Sequence, residues 1–246
     1  MTTYRLDIAY DGTGFSGWAV QPGRRTVQAE LQEALSRLFG EPIFLSVAGR
    51  TDAGVHAIAQ VASFATLRPP PDALAYALNG LTGPDVAIMA AGPVTDGFDA
   101  RRDALSRRYR YRLETGLPPS PFERGRALSW PHRMDRALLD ECAAAILGEH
   151  DFTAFTPTET EHVRFERRVL DAAWDDEPEA ERIVRFEVEA DSFMRSMVRV
   201  LVGTMLEVAS GRRELDDFRR LLAGAPRESA GDTARPHGLY LISVAY

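Results

Sequence analysis

The stretch Gly49-Arg50-Thr51-Asp52-Ala53-Gly54-Val55-His56-Ala57-Ile58 decides more about the fold than any other part of the chain. It holds a carboxylate, Asp52, between two glycines, with an apolar run at 43–47 before it and an alternating run at 60–66 after it. The two runs predict strands, and the glycines predict a tight turn between them. A charged side chain on such a rigid turn is typical of a reactive group. The alternative is an Asx turn, in which the carboxylate binds only its own backbone.

The pattern around this turn predicts the element order β-α-β-β-α-β for the first half of the chain. Residues 4–10 alternate between apolar and polar side chains, as in a half-buried strand. Apolar residues at helical spacing predict a helix that begins after Thr26 and ends at Gly40. The other predicted elements are strands at 43–47, 60–66 and 86–91 and a short helix at 71–79.

The second half repeats this order with one more helix, as β-α-β-β-α-α-β. Its predicted strands are 106–114, 167–175, 182–190 and 239–246, and its predicted helices are 135–147, 193–209 (capped by Ser192) and 215–223. Two copies of a ferredoxin-like order predict an α+β fold with two α/β halves, 1–104 and 105–246. We expect the halves to form a mixed, mainly antiparallel central sheet flanked by helices, with a ligand cleft between them.

The composition excludes several classes of protein. No apolar stretch is long enough to span a bilayer, and the N-terminus lacks the basic and apolar regions of a signal peptide. Cys142 stands alone, which excludes a disulfide framework and a cysteine-based zinc site, and the five histidines lack metal-ligand spacing. All 29 basic residues are arginine, which excludes a Schiff-base lysine and a P-loop lysine. We therefore expect a cytoplasmic, disulfide-free protein.

The formal net charge of −7 argues weakly against a nucleic-acid partner, but the charge is unevenly distributed. Six arginines and a single acidic residue lie between positions 101 and 112. On a strand, this segment places Tyr109 and Tyr111 on one face and Arg108 and Arg110 on the other. Aromatic and basic faces of this kind suit single-stranded nucleic acid, although the pattern also fits a strand with core tyrosines and solvated arginines.

Two further segments carry a chemical signal. Arg199 lies beside the apolar face of the predicted helix 193–209, where an arginine either pairs with a carboxylate or extends to the surface. The stretch 10–18 contains Asp-Gly-Thr-Gly, but the chain has no second copy to form an aspartic-protease dyad, and no P-loop spacing follows. We interpret this stretch as a structured loop that lines a binding groove.

Together these motifs resemble those of the tRNA pseudouridine synthase A family. Positions 49–57 agree with its active-site motif GRTDxGVHA at nine consecutive positions. Three further segments are similar to the family's YDGTxFxGWQ, (R/K)RYxY and FLRHMVRNLVG stretches, namely 10–18, 107–113 and 193–203. The chain departs from these patterns at Ala19, Ser196 and Val200.

The resemblance implies a pseudouridine synthase fold and an isomerase that exchanges the C1′–N1 bond of uridine for a C1′–C5 bond. It implies Asp52 as the nucleophile and Arg199 as the ion-pair partner that keeps Asp52 ionised. Tyr109 would pack against the target base. The uridine would flip out of its stack, and Arg50 would fill the gap or hold the neighbouring phosphate.

The resemblance also implies a substrate and an assembly. The targets would be uridines 38, 39 and 40 in the anticodon stem-loop of tRNA, bound by a homodimer that uses no cofactor and no metal. Arg107, Arg108 and Arg110 would contact the RNA. Whether Asp52 attacks C1′ or C6 stays open. So do two other hypotheses, namely an RNA-binding protein with an inactive Asp52, and a hydrolase that uses Asp52 but has no clear second carboxylate.

Overall fold

A computed structural model describes residues 1–159, 163–178 and 180–246 and divides the chain into two compact units. Unit 1 contains residues 1–107 and 240–246, and unit 2 contains residues 108–239. The sequence places the boundary three residues earlier, after residue 104, and leaves the last strand with the second half. Within the described part of the chain, no helix has both the length and the apolar character needed to cross a membrane.

Unit 1 has the β-α-β-β-α-β order that the sequence predicts. Its elements are β1 (Thr2–Tyr10), α1 (Val27–Phe39), β2 (Ser46–Val47), β3 (His56–Thr66), α2 (Leu74–Asn79) and β4 (Val86–Val94). Strand β1 lies between β3 and β4 and is antiparallel to both, and β2 pairs with the C-terminal part of β3. The sheet order β4-β1-β3-β2 is that of a ferredoxin-like unit.

The core of unit 1 forms where the apolar face of β1 meets α1. The predicted alternation of β1 is confirmed, because Tyr4, Leu6, Ile8 and Tyr10 are buried. Helix α1 begins and ends as predicted: the Thr26 side chain accepts a hydrogen bond from a backbone N–H of the first turn, and Gly40 adopts a left-handed conformation. Stacking of Tyr4 on Phe64, with ring centroids 5.3 Å apart, adds to this core.

Two elements of unit 1 are shorter than the sequence predicts. The apolar run 43–47 forms a strand only over Ser46–Val47. The N–H of Ile43 donates to the hydroxyl of Ser36 in α1, so Ile43 is buried without joining the sheet. Helix α2 begins at Leu74 rather than 71, after a run of three prolines, which lack the N–H groups that a helix needs.

In its described residues, unit 2 contains five strands and three α-helices. Its elements are β5 (Ser106–Thr115), β6 (Leu128–Trp130), α3 (Arg136–Ala145), β7 (Gly148–Asp151), β8 (Glu166–Asp176), β9 (Ile183–Ala190), α4 (Met197–Ala209) and α5 (Leu215–Leu221). The sheet order is β5-β9-β8-β7, and β6 runs parallel to the end of β5. The short strands β6 and β7 were not predicted, because three or four residues are too few for an alternating pattern to be recognised.

The final strand, β10 (Leu239–Ala245), runs parallel to the beginning of β3, where Tyr240 and Leu241 face His56 and Ala57. The pairing is therefore mixed but mainly antiparallel, and the predicted α+β fold class is confirmed. Because Ala57 also pairs with Tyr10 of β1, the start of β3 is held on both of its edges.

Helix α4 begins four residues later than the sequence predicts. Ser192 does not cap it, since its hydroxyl donates to the Asp191 carboxylate. The helix starts after Ser196, which has a left-handed conformation with φ 59° and whose carbonyl accepts the first helical hydrogen bond from Val200. Apolar residues continue at helical spacing on both sides of Ser196, although the backbone there is left-handed. The sequence pattern alone therefore predicts a helix start that is too early.

The segment 231–234 packs directly on α4. The Thr204 hydroxyl, which is fully buried, accepts a hydrogen bond from the Gly231 N–H at 3.0 Å and donates to the Val200 carbonyl. Gly203 lets the two backbones approach so closely that a Cβ atom at this position would overlap the carbonyl oxygen of Asp232. The small residues of α4 therefore position this segment.

We predict that Gly203→Ala lowers the free energy of unfolding by about 2 kcal/mol or more, because the methyl group must displace backbone rather than a flexible side chain. Chemical denaturation of the purified protein measures this. The matched control is Gly92→Ala in β4, where a Cβ atom meets nothing within 4 Å. Equal stabilities of the two variants would contradict the prediction.

Candidate active site

Asp52 lies at the first position of a tight turn at the entrance of β3. The Val55 N–H donates to the Asp52 carbonyl at 3.2 Å, and Gly54 has φ +76°, a left-handed conformation that glycine adopts without strain. The Asp52 side chain is half-buried. The sequence prediction of a carboxylate on a sharp turn before a strand is thus confirmed.

The loop 12–18 packs against this turn through backbone atoms. Gly17 has φ +94°, and a Cβ atom there would lie 2.9 Å from the Thr51 carbonyl oxygen and 3.2 Å from the Asp52 carbonyl carbon. The Trp18 N–H donates to the Thr51 carbonyl at 3.0 Å, and the Gly54 N–H donates to the Phe15 carbonyl at 3.3 Å. The loop therefore clamps the turn that carries Asp52.

Buried polar side chains hold the other side of the turn. The hydroxyls of Tyr10 and Thr51 lie 2.8 Å apart, and the Gln60 amide donates to the Gly49 carbonyl at 2.7 Å. Burial raises the pKa of Tyr10 to about 12, so its hydroxyl stays protonated at neutral pH and serves as a structural hydrogen-bonding group. Sequence reasoning missed these three residues as a set, because they are adjacent only after folding.

His56, the first residue of β3, forms hydrogen bonds beside the turn. Its Nδ1 accepts the Gly12 N–H at 3.0 Å, and its ring stacks on Tyr240 with centroids 4.6 Å apart. Nδ1 also lies 3.2 Å from an Asp11 carboxylate oxygen. These contacts tie the start of β3 to the loop 12–18 and to β10.

Arg50 extends into solvent beside the turn. Its side chain is exposed and makes no hydrogen bond or ion pair with residues 1–159, 163–178 or 180–246. A guanidinium in this state has all its donors available for a ligand, which is what the predicted role in positioning a flipped nucleotide requires.

The alternation predicted for β5 is confirmed. Tyr109 is 7% exposed and Tyr111 is fully buried, while the side chains of Arg108 and Arg110 lie half-buried on the other face. The Tyr109 ring meets Phe193 edge-on at 5.0 Å. The Tyr111 hydroxyl donates to the Arg235 carbonyl at 2.7 Å, which gives Tyr111 a structural role, and burial raises its pKa, partly offset by the charge of Arg199.

The three arginines predicted to bind RNA have protein partners. Arg107 is buried and donates to three backbone carbonyls, including that of Ala48 at 2.9 Å, just before the Asp52 turn. Arg108 donates to Glu189 at 2.7 Å and to Asp171 at 2.8 Å, and Arg110 pairs with Glu187 at 2.7 Å. Their RNA-binding role stays a prediction, and phosphate contact by these side chains would have to compete with these partners.

Arg199 lies in the first turn of α4 and is half-buried. Its Nε donates to the Ala234 carbonyl at 2.8 Å, and its own carbonyl accepts the Ala234 N–H at 3.1 Å. These two bonds fix the guanidinium against the segment that follows Asp232. The Arg199 side chain is therefore fixed by contacts with the protein and does not extend freely into solvent.

The described residues contain no cluster of three or more His, Cys, Asp or Glu side chains with the geometry of a metal site. His162, one of the five histidines of the sequence, lies outside the described residues. The free cysteine, Cys142, is buried, and its burial raises its pKa to about 12, so it is not a thiolate nucleophile at neutral pH.

We predict that Gly17→Ala lowers the activity that the resemblance implies, measured as pseudouridine formed in a tRNA transcript, by at least about tenfold, since a shift of about 1 Å at a reacting group has effects of this size or larger. The added methyl group presses on the Thr51 and Asp52 backbone. The control is Gly23→Ala, which has a similar positive φ of +68° but meets nothing within 4 Å. Similar losses in both variants would show that backbone strain, and not the clamp, is responsible.

Comparison with known proteins finds relatives over most or all of the chain. A family model described as tRNA pseudouridine synthase matches residues 8–101 and 142–246, which include the Asp52 turn and α4. The chain is 39% identical to tRNA pseudouridine synthase A of Lacticaseibacillus casei over 100% of both chains. It is 43% identical to tRNA pseudouridine synthase A of Frankia casuarinae, over 98% of this chain and 88% of that relative.

Similarity to solved structures is weaker. A chain from the crystal structure of a Cbf5-Nop10-Gar1 complex overlaps 83% of this chain and 54% of its own length, with 11% sequence identity and a TM-score of 0.33, which is too low to support a structural argument. The relatives that match along the full chain and the family model are sufficient to assign the family. The chain belongs to the tRNA pseudouridine synthase family of isomerases.

Proposed function

We propose that this protein converts uridine to pseudouridine at positions 38, 39 and 40 in the anticodon stem-loop of tRNA, with Asp52 as the nucleophile. It acts as a cytoplasmic homodimer and uses no cofactor and no metal. The observation that carries the proposal is the Asp52 turn, which the glycine loop clamps through backbone contacts while the carboxylate stays partly exposed. Membership in the family supports tRNA as the substrate.

The chemistry requires little besides this carboxylate. The C1′–N1 bond of uridine breaks and the C1′–C5 bond forms, while C5 loses a proton and N1 takes one up. Substrate and product are therefore isomers, and no electrons are exchanged with an external partner. Attack of an ionised Asp52 on the sugar at C1′ or on the base at C6 gives a covalent intermediate that divides the exchange into two easier steps. Both routes need the carboxylate to be ionised and fixed in position.

Unit 2 supplies two further groups to the proposed reaction. The Arg199 guanidinium pairs with Asp52 and keeps it ionised, and the backbone bonds to Ala234 orient that guanidinium. Tyr109 stacks on the uracil and retains it after the glycosidic bond breaks. The edge-on contact with Phe193 limits rotation of the Tyr109 ring, so that its face is pre-oriented.

A stacked uridine is out of reach of a side chain on the protein surface. The enzyme therefore flips the nucleotide out, at a cost of a few kcal/mol for unstacking and unpairing. Arg50 is suited to occupy the vacated space or to bind the adjacent phosphate, because its guanidinium is exposed next to Asp52.

We predict that Asp52→Asn lowers pseudouridine formation by at least about 1000-fold, the scale typical of the loss of a catalytic group, because an amide cannot form the covalent intermediate. Release of tritium from C5-labelled uridine in a tRNA transcript measures turnover, and mass spectrometry of the product locates the modified positions. Affinity for tRNA should stay within a few-fold of the wild type.

The control for this experiment is Asp72→Asn, which makes the same chemical change at an exposed carboxylate that forms no hydrogen bond or ion pair within the described ranges. A transcript with cytidine at positions 38, 39 and 40 tests the substrate. Modification of that transcript elsewhere would contradict the anticodon assignment. If Asp52→Asn turned over at the wild-type rate, Asp52 would be excluded as the nucleophile.

We also predict that the two tyrosines of β5 respond differently to substitution. Tyr109→Leu should lower turnover by about tenfold or more, the scale of one lost base–aromatic stacking contact, and Tyr109→Phe should lose much less, since it keeps the aromatic face. Tyr111→Phe removes a buried hydrogen bond and should lower the free energy of unfolding by about 1 kcal/mol without a comparable loss of turnover. The opposite order would mean that Tyr111 contacts the base.

A further inference from the structure

A pocket of ≈ 560 Å³ opens in unit 2 beside α4, and none of the catalytic roles assigned above uses it. Its walls come from β6 and the residues that follow it, from one face of α4, and from the segment 232–235. The volume falls in the range of pockets that hold small ligands or single groups of a larger one. The apolar part of the wall includes Leu128 and Leu206.

The rim of the pocket carries an excess of positive charge. Arg133, Arg212 and Arg235 are exposed, and none of them forms an ion pair with a carboxylate in the parts of the chain that the structure describes. Of the two acidic residues in the wall, Glu207 is neutralised by Arg213 at 3.0 Å. Only Asp232 offsets the three arginines, so the pocket favours an anionic ligand.

One side of the pocket has the spacing of a stacking slot. The Arg212 guanidinium carbon lies 6.0 Å from the centre of the Trp130 ring, whereas Arg25 contacts the Phe15 ring at 4.1 Å. A planar base between an indole and a guanidinium needs about 7 Å, twice the contact distance of about 3.5 Å. An outward shift of about 1 Å in the exposed Arg212 side chain therefore admits a nucleobase between the two groups.

The pocket lies close to Arg199. The Ala234 peptide that binds Arg199 is part of its wall, and Gly203, also in the wall, follows Arg199 by one turn of α4, about 6 Å along the helix axis. When one nucleotide of an RNA strand lies at Arg199, a neighbouring nucleotide of the same strand therefore reaches the pocket.

We propose that this pocket binds a nucleotide of the tRNA next to the reacting uridine, with its base between Trp130 and Arg212 and its phosphate near Arg133 and Arg235. The proposal rests on the proposed function, because it takes RNA as the ligand and Arg199 as part of the reaction site. It assigns to the pocket the task of holding the substrate strand on one side of the flipped nucleotide.

Tryptophan fluorescence tests the stacking. The chain has three tryptophans, of which Trp18 is fully buried and Trp174 is 4% exposed, so only Trp130 is accessible to a stacking base. An unmodified tRNA transcript is titrated into the Asp52→Asn variant, in which binding is measured without turnover. We expect saturable quenching that disappears when Trp130→Phe is added. Bound tRNA, verified by gel retardation, without quenching would overturn the proposal.

Affinity tests the arginines in the same background. Arg212→Ala and Arg235→Ala should each weaken tRNA binding by about fivefold or more, and Arg235→Ala should also reduce the salt dependence of binding by roughly one counterion. The control is Arg37→Ala, an exposed arginine of α1 outside the pocket, which should stay within about twofold. Affinities equal to that of the control would overturn the proposal. So would a change in oligomeric state without a change in affinity, because the occupant would then be a second copy of the chain.

The two proposals fail in different ways. If the wild-type enzyme is active, but tRNA causes no quenching and the arginine variants bind tRNA with normal affinity, only the proposal for the pocket fails. If tRNA quenches the fluorescence and the arginine variants bind more weakly, but the protein forms no pseudouridine, the pocket proposal stands and the proposed reaction fails.

Discussion

The contact between the backbone of the loop 12–18 and the backbone of the Asp52 turn is the constraint on which the site depends. No side chain lies between Gly17 and the Thr51–Asp52 peptide, so their separation is set by peptide groups that have no alternative rotamers. In the same loop, the carbonyls of Gly17 and Trp18 accept hydrogen bonds from two N–H groups in the first turn of α1. They satisfy donors that the end of a helix leaves unpaired. Because strand β1, helix α1 and the turn all meet at this loop, the position of the carboxylate is fixed by the fold of unit 1. A carboxylate held in this way needs little reorganisation when charge develops during the proposed reaction.

The parts of the fold that were predictable from sequence are those in which a residue's neighbours along the chain determine its environment. The alternation of β1 and β5 and the caps of α1 are local patterns, and the structure confirms them. The misplaced boundaries have non-local causes. Ile43 leaves the sheet because a hydroxyl from α1 takes its N–H. The start of α4 moves to Met197 because Ser196 adopts a left-handed conformation, which is uncommon for residues other than glycine.

The site was predictable to the extent that its residues lie in one contiguous motif. The turn 49–58 is such a motif, and the spacing of its glycines and its carboxylate is sufficient to predict its geometry. The groups that support the turn, such as Tyr10 and Gln60, are 50 residues apart in sequence and carry no motif of their own, yet they hydrogen-bond to each other and to the turn. The pocket beside α4 is a similar case. Trp130 and Arg212 are unremarkable in sequence, and only their 6.0 Å separation suggests a common ligand.

The arginines illustrate why the number of charges in a segment is a weak guide to nucleic-acid binding. Segment 101–112 is the most basic in the chain, but Arg108 and Arg110 already have carboxylate partners, and Arg107 is occupied by carbonyls. Binding a phosphate at such a position gains one charge-assisted contact and leaves one or two carboxylates beside the phosphate without a cation, so most of the gain is lost. An exposed arginine without an acidic partner, such as Arg50 or Arg235, has no such loss and gains the full contact together with the release of counterions from the RNA. On a protein with a net charge of −7, the arginines that lack carboxylate partners, rather than the densest cluster, are therefore the positions where RNA affinity is most readily obtained.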